Sequence, residues 1–329
     1  MQSKREYSFD ILRVIAMIMV VTIHVSNVYS RSFGIISNSS FIISLVFNTF
    51  SRISVPIFLM ISGALLLDRE FNREKYFKRI RKFIILIIVW DIIYLIWEYL
   101  YLGTTYTNLY KLIFTPYRAH LWFLYTILIL YIIQPILRLV LLKSSTKVKT
   151  ILLSLWILFS TGSMLNPTLA QYFTIFSYMG FFVVGKYLYD YVKSNDLRKY
   201  NIILIIISLI LFIMSIILNY QTSIRTNMFY NLFFAYRTPF IFIPSISIFT
   251  LIVNNYKKDS INKLVMLLSD LSLGVYLIHG IFLDITVELF IYPNFNSLIA
   301  IPLFTLIISI CSIISIYIIK KIKLINQIV

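Results

Sequence analysis

Arg13 and His24 stand eleven residues apart in the first apolar run of the chain. On an α-helix turning about 100° per residue, eleven steps return to within about 20° of the starting face, so both side chains look the same way. Their separation along the axis is about 16 Å, which sets them at different depths of one helix. A guanidinium at one end can hold an anion, and an imidazole at the other can move a proton. That pairing suits a long donor with a charged head and a reactive tail. Asp10 precedes Arg13 by one turn, so a local ion pair that lets Arg13 reach the membrane interface is the competing role.

Two further histidines extend the pattern: His120 in HLWFLY and His279 in LSLGVYLIH. By depth along their apolar runs, both fall on the same side of the membrane as His24, toward the outer leaflet. No two histidines have the i, i+3 or i, i+4 spacing of a helical metal site, so no metal is expected. Arg52 lies just before Pro56, and Arg237 just before Pro239. An Arg near the bilayer centre costs about 2.5–3.5 kcal/mol on insertion scales, and a proline beside it frees backbone groups that need partners. Such pairs read as walls of a polar cavity. Ser62 and Gly63 are small enough for close helix packing or for backbone approach to a ligand. Asp91, Glu98, Asp284 and Glu288 could neutralise an Arg or orient a His, and the sequence does not assign the pairs. The single cysteine, Cys311, excludes an intramolecular disulfide or a Cys-based metal cluster.

The elements that must position these residues are helices in a membrane. Of 329 residues, 60% are hydrophobic, more than one soluble core can bury. Apolar runs at about 9–29, 41–67, 83–102, 121–142, 149–166, 171–189, 201–220, 229–253, 264–290 and 297–319 are each long enough, or nearly so, to cross a hydrocarbon core roughly 30 Å thick. A closed barrel would show short alternating strands instead. The second, eighth and ninth runs are longer than needed, which predicts tilt or breaks, with Pro56, Pro239 and Pro244 inside them. Lys and Arg crowd the alternate loops, the strongest cluster lying between Asp68 and Lys82, while the opposite loops hold only Arg31, Lys111, Arg118 and Arg225. The positive-inside rule then places both termini in the cytoplasm. The formal net charge of +17 is topogenic on this reading, and no aromatic-interleaved basic face suggests nucleic acid. The fold class expected is all-α integral membrane, one bundle of about ten transmembrane helices, residues 1–329 forming a single domain.

These motifs resemble a known family, the acyltransferase family 3 membrane proteins that O-acylate bacterial surface polysaccharides and related glycans. The likeness runs through FDILRVIAMIMVVTIHV, VPIFLMISGALLL, HLWFLYTILILY and LSLGVYLIH. The Arg13-x10-His24 pair matches the family's most diagnostic motif. Ser62-Gly63 matches its Ser-Gly element, although Ala64-Leu65 replaces the aromatic–aliphatic pair common there. The run KRIRK, Lys78 to Lys82, looks like the family's cytoplasmic basic motif, for which donor binding has been proposed. The resemblance implies ten helices, cytoplasmic acyl-CoA as donor and a glycan hydroxyl as acceptor, and the chain reads as a stand-alone short form from a low-GC Gram-positive bacterium, in the cell membrane.

The mechanism expected from residues and resemblance together is acyl transfer from acyl-CoA, with acetyl or succinyl as the group, to a surface glycan or lipid-linked sugar. Phosphates would sit near Arg81, Lys82 and Arg13, beside Ser62 and Gly63. His24 would take the sugar hydroxyl proton or carry the acyl group itself. Arg52 or Arg237 would stabilise the oxyanion or hold the acceptor, and His120, Trp122 and His279 would line the acceptor mouth. No bound cofactor is expected beyond the donor. Partners would be membrane lipid and glycan-assembly machinery. A polysaccharide or glycolipid exporter, and a non-catalytic scaffold, are the competing readings; buried Arg and Pro-broken spans suit transport equally well.

Overall fold

The computed structural model describes residues 5–103, 115–162, 164, 167–256, 262–290 and 295–322. The predicted outer-loop charge Lys111 lies outside them. The described residues are helical throughout, with no strand among them: α1 (Tyr7–Arg31), α2 (Asn38–Ser51), α3 (Ser54–Leu66), α4 (Arg73–Trp97), α5 (Trp122–Lys143), α6 (Thr146–Gly162), α7 (Pro167–Ser194), α8 (Asn201–Thr226), α9 (Pro239–Asn255), α10 (Lys263–Phe290) and α11 (Ser297–Lys321).

The burial pattern is that of a protein dissolved in lipid. On α8, Ile203, Ile206, Ile210 and Ile213 are exposed, while Ser208, Ser215, Asn219 and Ser223 are buried along the opposite face. A soluble helix would reverse this arrangement. Turned inward, these polar groups satisfy one another and the backbone: Ser215 Oγ donates to the Phe233 carbonyl (2.9 Å) and Asn219 Nδ2 to the Ser215 carbonyl (2.9 Å). Among the described residues, eight spans have the length and apolar composition to cross a membrane, with α2 and α3 together forming one of them, and the protein is an integral membrane α-helical bundle. The other two runs expected to cross are α6, only 17 residues long, and α7.

Helix ends are set locally. Asn72 accepts from the Lys75 amide (2.9 Å) to start α4, and Ser37 accepts from the Ser40 amide (3.2 Å) to start α2. After Trp97, α4 loosens into one π-helical turn, Glu98–Leu102, closed by Gly103 at φ 65°, a left-handed conformation that glycine adopts without strain. Of the three predicted breaks, the second run does break, at Arg52–Ile53 between α2 and α3. Pro56 then falls in the first turn of α3, where a missing N–H costs nothing. The eighth run is not one helix: a short 3-10 turn, Leu232–Phe234, precedes α9, which starts on Pro239. The ninth, α10, is unbroken.

Contacts between remote residues fix which helix ends meet. Arg5 donates to Asp270 (3.0 Å), and the Lys320 ammonium donates to the Asp270 carbonyl. The two ends of the described chain therefore lie at one end of the bundle, together with the Lys193–Glu6 (3.0 Å) and Lys186–Asp68 (2.7 Å) pairs. Helices α3 and α7 press together at glycines: a Cβ on Gly63 would meet the Phe182 backbone, and one on Gly185 the Met60 backbone. Gly63 is thus a packing position, and its lack of a side chain is used against α7.

Candidate active site

Two helices contribute to both parts of the site. On α1, Arg13, Val20, His24, Asn27 and Arg31 fall on one face, spaced by sums of three and four residues. On α10, Leu273, Tyr276, His279, Gly280, Leu283 and Asp284 do the same. Helices α1 and α10 pack against each other, and along their seam run two cavities.

The cavity toward the chain ends has a volume of about 270 Å³ and is lined by Arg13, Arg69, Arg79, Ser62, Tyr131 and Tyr276, among others. Its lining holds three arginines and no carboxylate among the described residues, which makes it an anion site by composition. Arg79 lies over the Tyr131 ring at 5.4 Å, and Tyr131 hydrogen-bonds Ser62. Arg13 keeps the predicted local partner: its Nη1 is 3.3 Å from Asp10 Oδ1 and 3.5 Å from Ser269 Oγ. Asp10, fully buried, is shared, accepting also from Arg5 Nε (2.7 Å) and Ser269 Oγ (2.7 Å). The hydrogen bonds that Arg5 donates to Asp10, together with Asp270, hold its guanidinium above its ordinary pKa. One carboxylate facing two arginines leaves Arg13 able to serve both as ion-pair partner and as cavity wall.

The structure does not bring Arg81 or Lys82 to this cavity. Both are exposed, and Arg81 lines a separate hollow on the far side of α4 with Phe77, Lys78, Ile84 and Ile85. The helical repeat explains the difference: Arg79 lies about 200° from Arg81, so only one of them can face α5. Arg69 and Arg79 take the place expected for Arg81 and Lys82. Arg79 sits inside the same basic run, Lys78 to Lys82.

The second cavity, about 390 Å³, is lined by His24, His120 and His279 together with Arg31, Arg52, Arg118, Trp122, Tyr236 and Asp284. The three imidazoles meet ring to ring, with centroids 4.9 Å apart for His24–His279 and His120–His279 and 5.9 Å for His24–His120. His120 and His279 are therefore neighbours of His24 at its own depth, and Trp122 lines the same cavity. Gly280 makes room for this: a Cβ there would stand 2.8 Å from His120 Cε1 and 2.7 Å from Tyr94 Oη. Among the described residues no group of three His, Cys, Asp or Glu side chains is set to hold a metal ion.

A hydrogen bond orients the His279 ring, and another holds the His120 backbone. His279 Nδ1 is 2.6 Å from the Tyr276 carbonyl; a carbonyl only accepts, so Nδ1 carries the proton and the neutral ring presents Nε2 as an acceptor. The Tyr276 hydroxyl donates to the His120 carbonyl. The Nε2 atoms of His120 and His279 are buried and have no hydrogen-bond partner. Buried polar atoms are nearly always paired in native proteins, and these two exceptions belong to residues that line one cavity.

Around this cluster the wall is cationic and aromatic. Arg52, the residue that ends α2, donates to Asn48 Oδ1 (2.8 Å), while Asn48 Nδ2 donates to Asn27 Oδ1 (2.8 Å), and the Arg52 guanidinium lies 5.5 Å from the Phe234 ring and 5.9 Å from Tyr236. Trp122 stacks on Tyr178 (5.1 Å, 29°) and approaches Tyr236 (6.0 Å). Arg118, counted only as outer-loop charge by sequence, lines the cavity, pairs with Glu98 (2.8 Å) and Asp284, and lies over the Tyr94 ring at 5.8 Å. Asp91 instead accepts from Tyr125 Oη (2.7 Å) and the Tyr117 amide (3.0 Å). Arg237 is not in the lining, and its Nε is buried and without a hydrogen-bond partner. Arg118 and Tyr276 are the members that sequence reasoning missed, and the α10 stripe through His279 was the signal for Tyr276.

The two cavities share four lining residues, Val20, Val55, Phe123 and Tyr276. An arginine-lined hollow and a histidine-lined hollow therefore adjoin across these four side chains, along the face of α1 that carries Arg13 and His24. A family model described as an acyltransferase domain matches residues 6–320. No curated protein and no solved structure matches the chain.

Proposed function

Since the chain belongs to acyltransferase family 3 and is a membrane acyltransferase, we propose that it moves a short acyl group from cytoplasmic acyl-CoA to a hydroxyl of a surface glycan or lipid-linked sugar. The observation that carries this reading is the pair of adjoining cavities, one lined by Arg13, Arg69 and Arg79 and the other by three histidines. A donor with phosphates at one end and a thioester at the other matches that polarity. An acceptor rich in hydroxyls matches the orphan imidazole nitrogens and the Trp122–Tyr178–Tyr236 platform.

On this reading the arginine end faces the cytoplasm, as the charge asymmetry of the loops favours, in the membrane of a bacterial cell with ten crossings in all. The phosphates lie against Arg13, Arg69 and Arg79, and the pantetheine arm runs along α1 to His24. His24 Nε2 or Nδ1 takes the proton of the sugar hydroxyl as its oxygen attacks the thioester carbonyl. The tetrahedral oxyanion is stabilised by Arg52. Collapse breaks the C–S bond, the new ester forms, and the proton on His24 passes to the departing thiolate to give CoA-SH. His120 and His279 hold the hydroxyls of the acceptor rather than react. The exporter reading has no observation of its own: two fixed cavities at the two ends of one helix face serve transfer.

The test is acyl transfer in proteoliposomes with mass-resolved acetyl-CoA, scoring acyl gain by lipid-linked or polymeric glycan. The expected result is stoichiometric release of CoA-SH with acyl gain by glycan. Absence of both, with the protein folded, contradicts the reading and leaves export as the account to pursue.

A further inference from the structure

The junction between the two cavities is built from four side chains, and none of them carries a charge: Val20 on α1, Val55 on α3, Phe123 on α5 and Tyr276 on α10. All four are at least nine-tenths buried, or nearly so, with Val20 at 4% exposure and Phe123 at 8%. The Phe123 and Tyr276 rings stand 5.7 Å apart, nearly edge to face. The only polar atom, the Tyr276 hydroxyl, is already committed to the His120 carbonyl. Val20 is one helical turn, about 6 Å, from His24 on the Arg13 side.

We infer that this junction is the acyl selector of the enzyme: Val20, Val55, Phe123 and Tyr276 admit slim, uncharged acyl groups and refuse branched or anionic ones. The inference rests on the acyl-CoA reading above and deepens it. The acyl group is the leading end of the donor, so it must pass the junction before its thioester reaches His24. With the thioester at His24, the unbranched cysteamine end of the donor lies between the four side chains, one turn below. A straight acyl group is no wider than the arm that follows it. A branched group is wider, and must displace packed rings whose neighbours leave them little room. A carboxylate must shed its water with no cation and no free donor among the four to replace it. The junction thus separates acetyl from succinyl, the two acyl groups that the sequence left open, in favour of acetyl.

The experiment compares acetyl-, isobutyryl- and succinyl-CoA as donors, with CoA-SH release and acyl gain by glycan as readouts, for wild type, Phe123→Ala, Phe123→Leu and Val55→Ala. In wild type, isobutyryl and succinyl transfer are expected to be slower than acetyl by on the order of a hundredfold. The isobutyryl-to-acetyl ratio should rise at least about tenfold in Phe123→Ala. It should rise less in Phe123→Leu and Val55→Ala, which remove less volume and keep the proposal testable if the larger truncation fails to fold. The succinyl-to-acetyl ratio should stay low in all of them, since the opening remains apolar. Wild-type transfer of acetyl with unchanged ratios in every folded variant overturns the selector while leaving the donor reading intact. Equal use of succinyl and acetyl by wild type also overturns it. No transfer from any of the three CoA esters by folded wild type removes the donor reading itself.

Discussion

At the scale of the residue, the site is a set of side chains whose partners decide what each can do. His24 stands against His279 and His120. If it moves the proton, His24→Ala should abolish acyl transfer while leaving membrane level and thermal stability close to wild type, because a ring facing a cavity is replaceable in packing but not in chemistry. Measured transfer by the purified variant at the wild-type rate contradicts the role. Tyr276 acts through its neighbours: its hydroxyl holds the His120 backbone and its carbonyl fixes the His279 tautomer. Tyr276→Phe is expected to lower kcat by about tenfold, the effect of one hydrogen bond, with donor affinity unchanged. A change in KM for donor without a change in kcat points instead to a purely steric role. Arg13, His24, His120 and His279 were all legible in the sequence, because ionisable groups inside apolar runs have few reasons to be there. Arg79 and Arg118 were not. Choosing between Arg79 and Arg81 needs the face that α4 turns to α5, and Arg118 reaches the cavity only because the short turn before α5 folds it back over Tyr94.

At the scale of the element, glycines decide how closely helices approach. Gly63 and Gly185 let α3 and α7 share backbone contact, and Gly280 lets the His120 ring sit against α10. Gly63→Val should force the Phe182 backbone away and lower stability by on the order of 1–3 kcal/mol, read as a reduced melting temperature in detergent. An unchanged melting temperature contradicts the packing role. Gly280→Ala should reduce kcat sharply, since its methyl would stand 2.8 Å from His120 Cε1 and push the ring aside. The sequence offered Ser62 and Gly63 as one small-residue element with two possible uses. The structure divides them, Ser62 toward the arginine cavity and Gly63 toward α7. The predicted break at Arg52 was readable because a buried Arg followed by Pro56 cannot continue a helix cheaply. The absence of a break in α10 was not, since length alone does not distinguish a tilted helix from a broken one.

At the scale of the whole molecule, a membrane bundle exposes isoleucine and buries serine, and its polar interior runs along one seam between α1 and α10. Hydropathy made the bundle legible; the meeting of three histidines from three separate regions of the chain was not, because nothing in a linear pattern reports which helices are neighbours. If the arginine end is cytoplasmic, reporters placed at Arg69, Ser144, Asn195 and Tyr256 should all register cytoplasm. An outer signal from Arg69 contradicts the orientation, since that loop leads into the strongest basic cluster. The central claim is that one face of α1 binds the donor at Arg13 and reacts with it at His24. The most direct measurement is acyl-CoA binding by calorimetry, alongside single-turnover transfer, on wild type, Arg13→Ala and His24→Ala. The account predicts that Arg13→Ala weakens binding about ten- to a hundredfold, as loss of a charge-assisted hydrogen bond would, and that His24→Ala binds like wild type but transfers nothing. Donor binding unchanged in both variants, or transfer retained in His24→Ala, contradicts it.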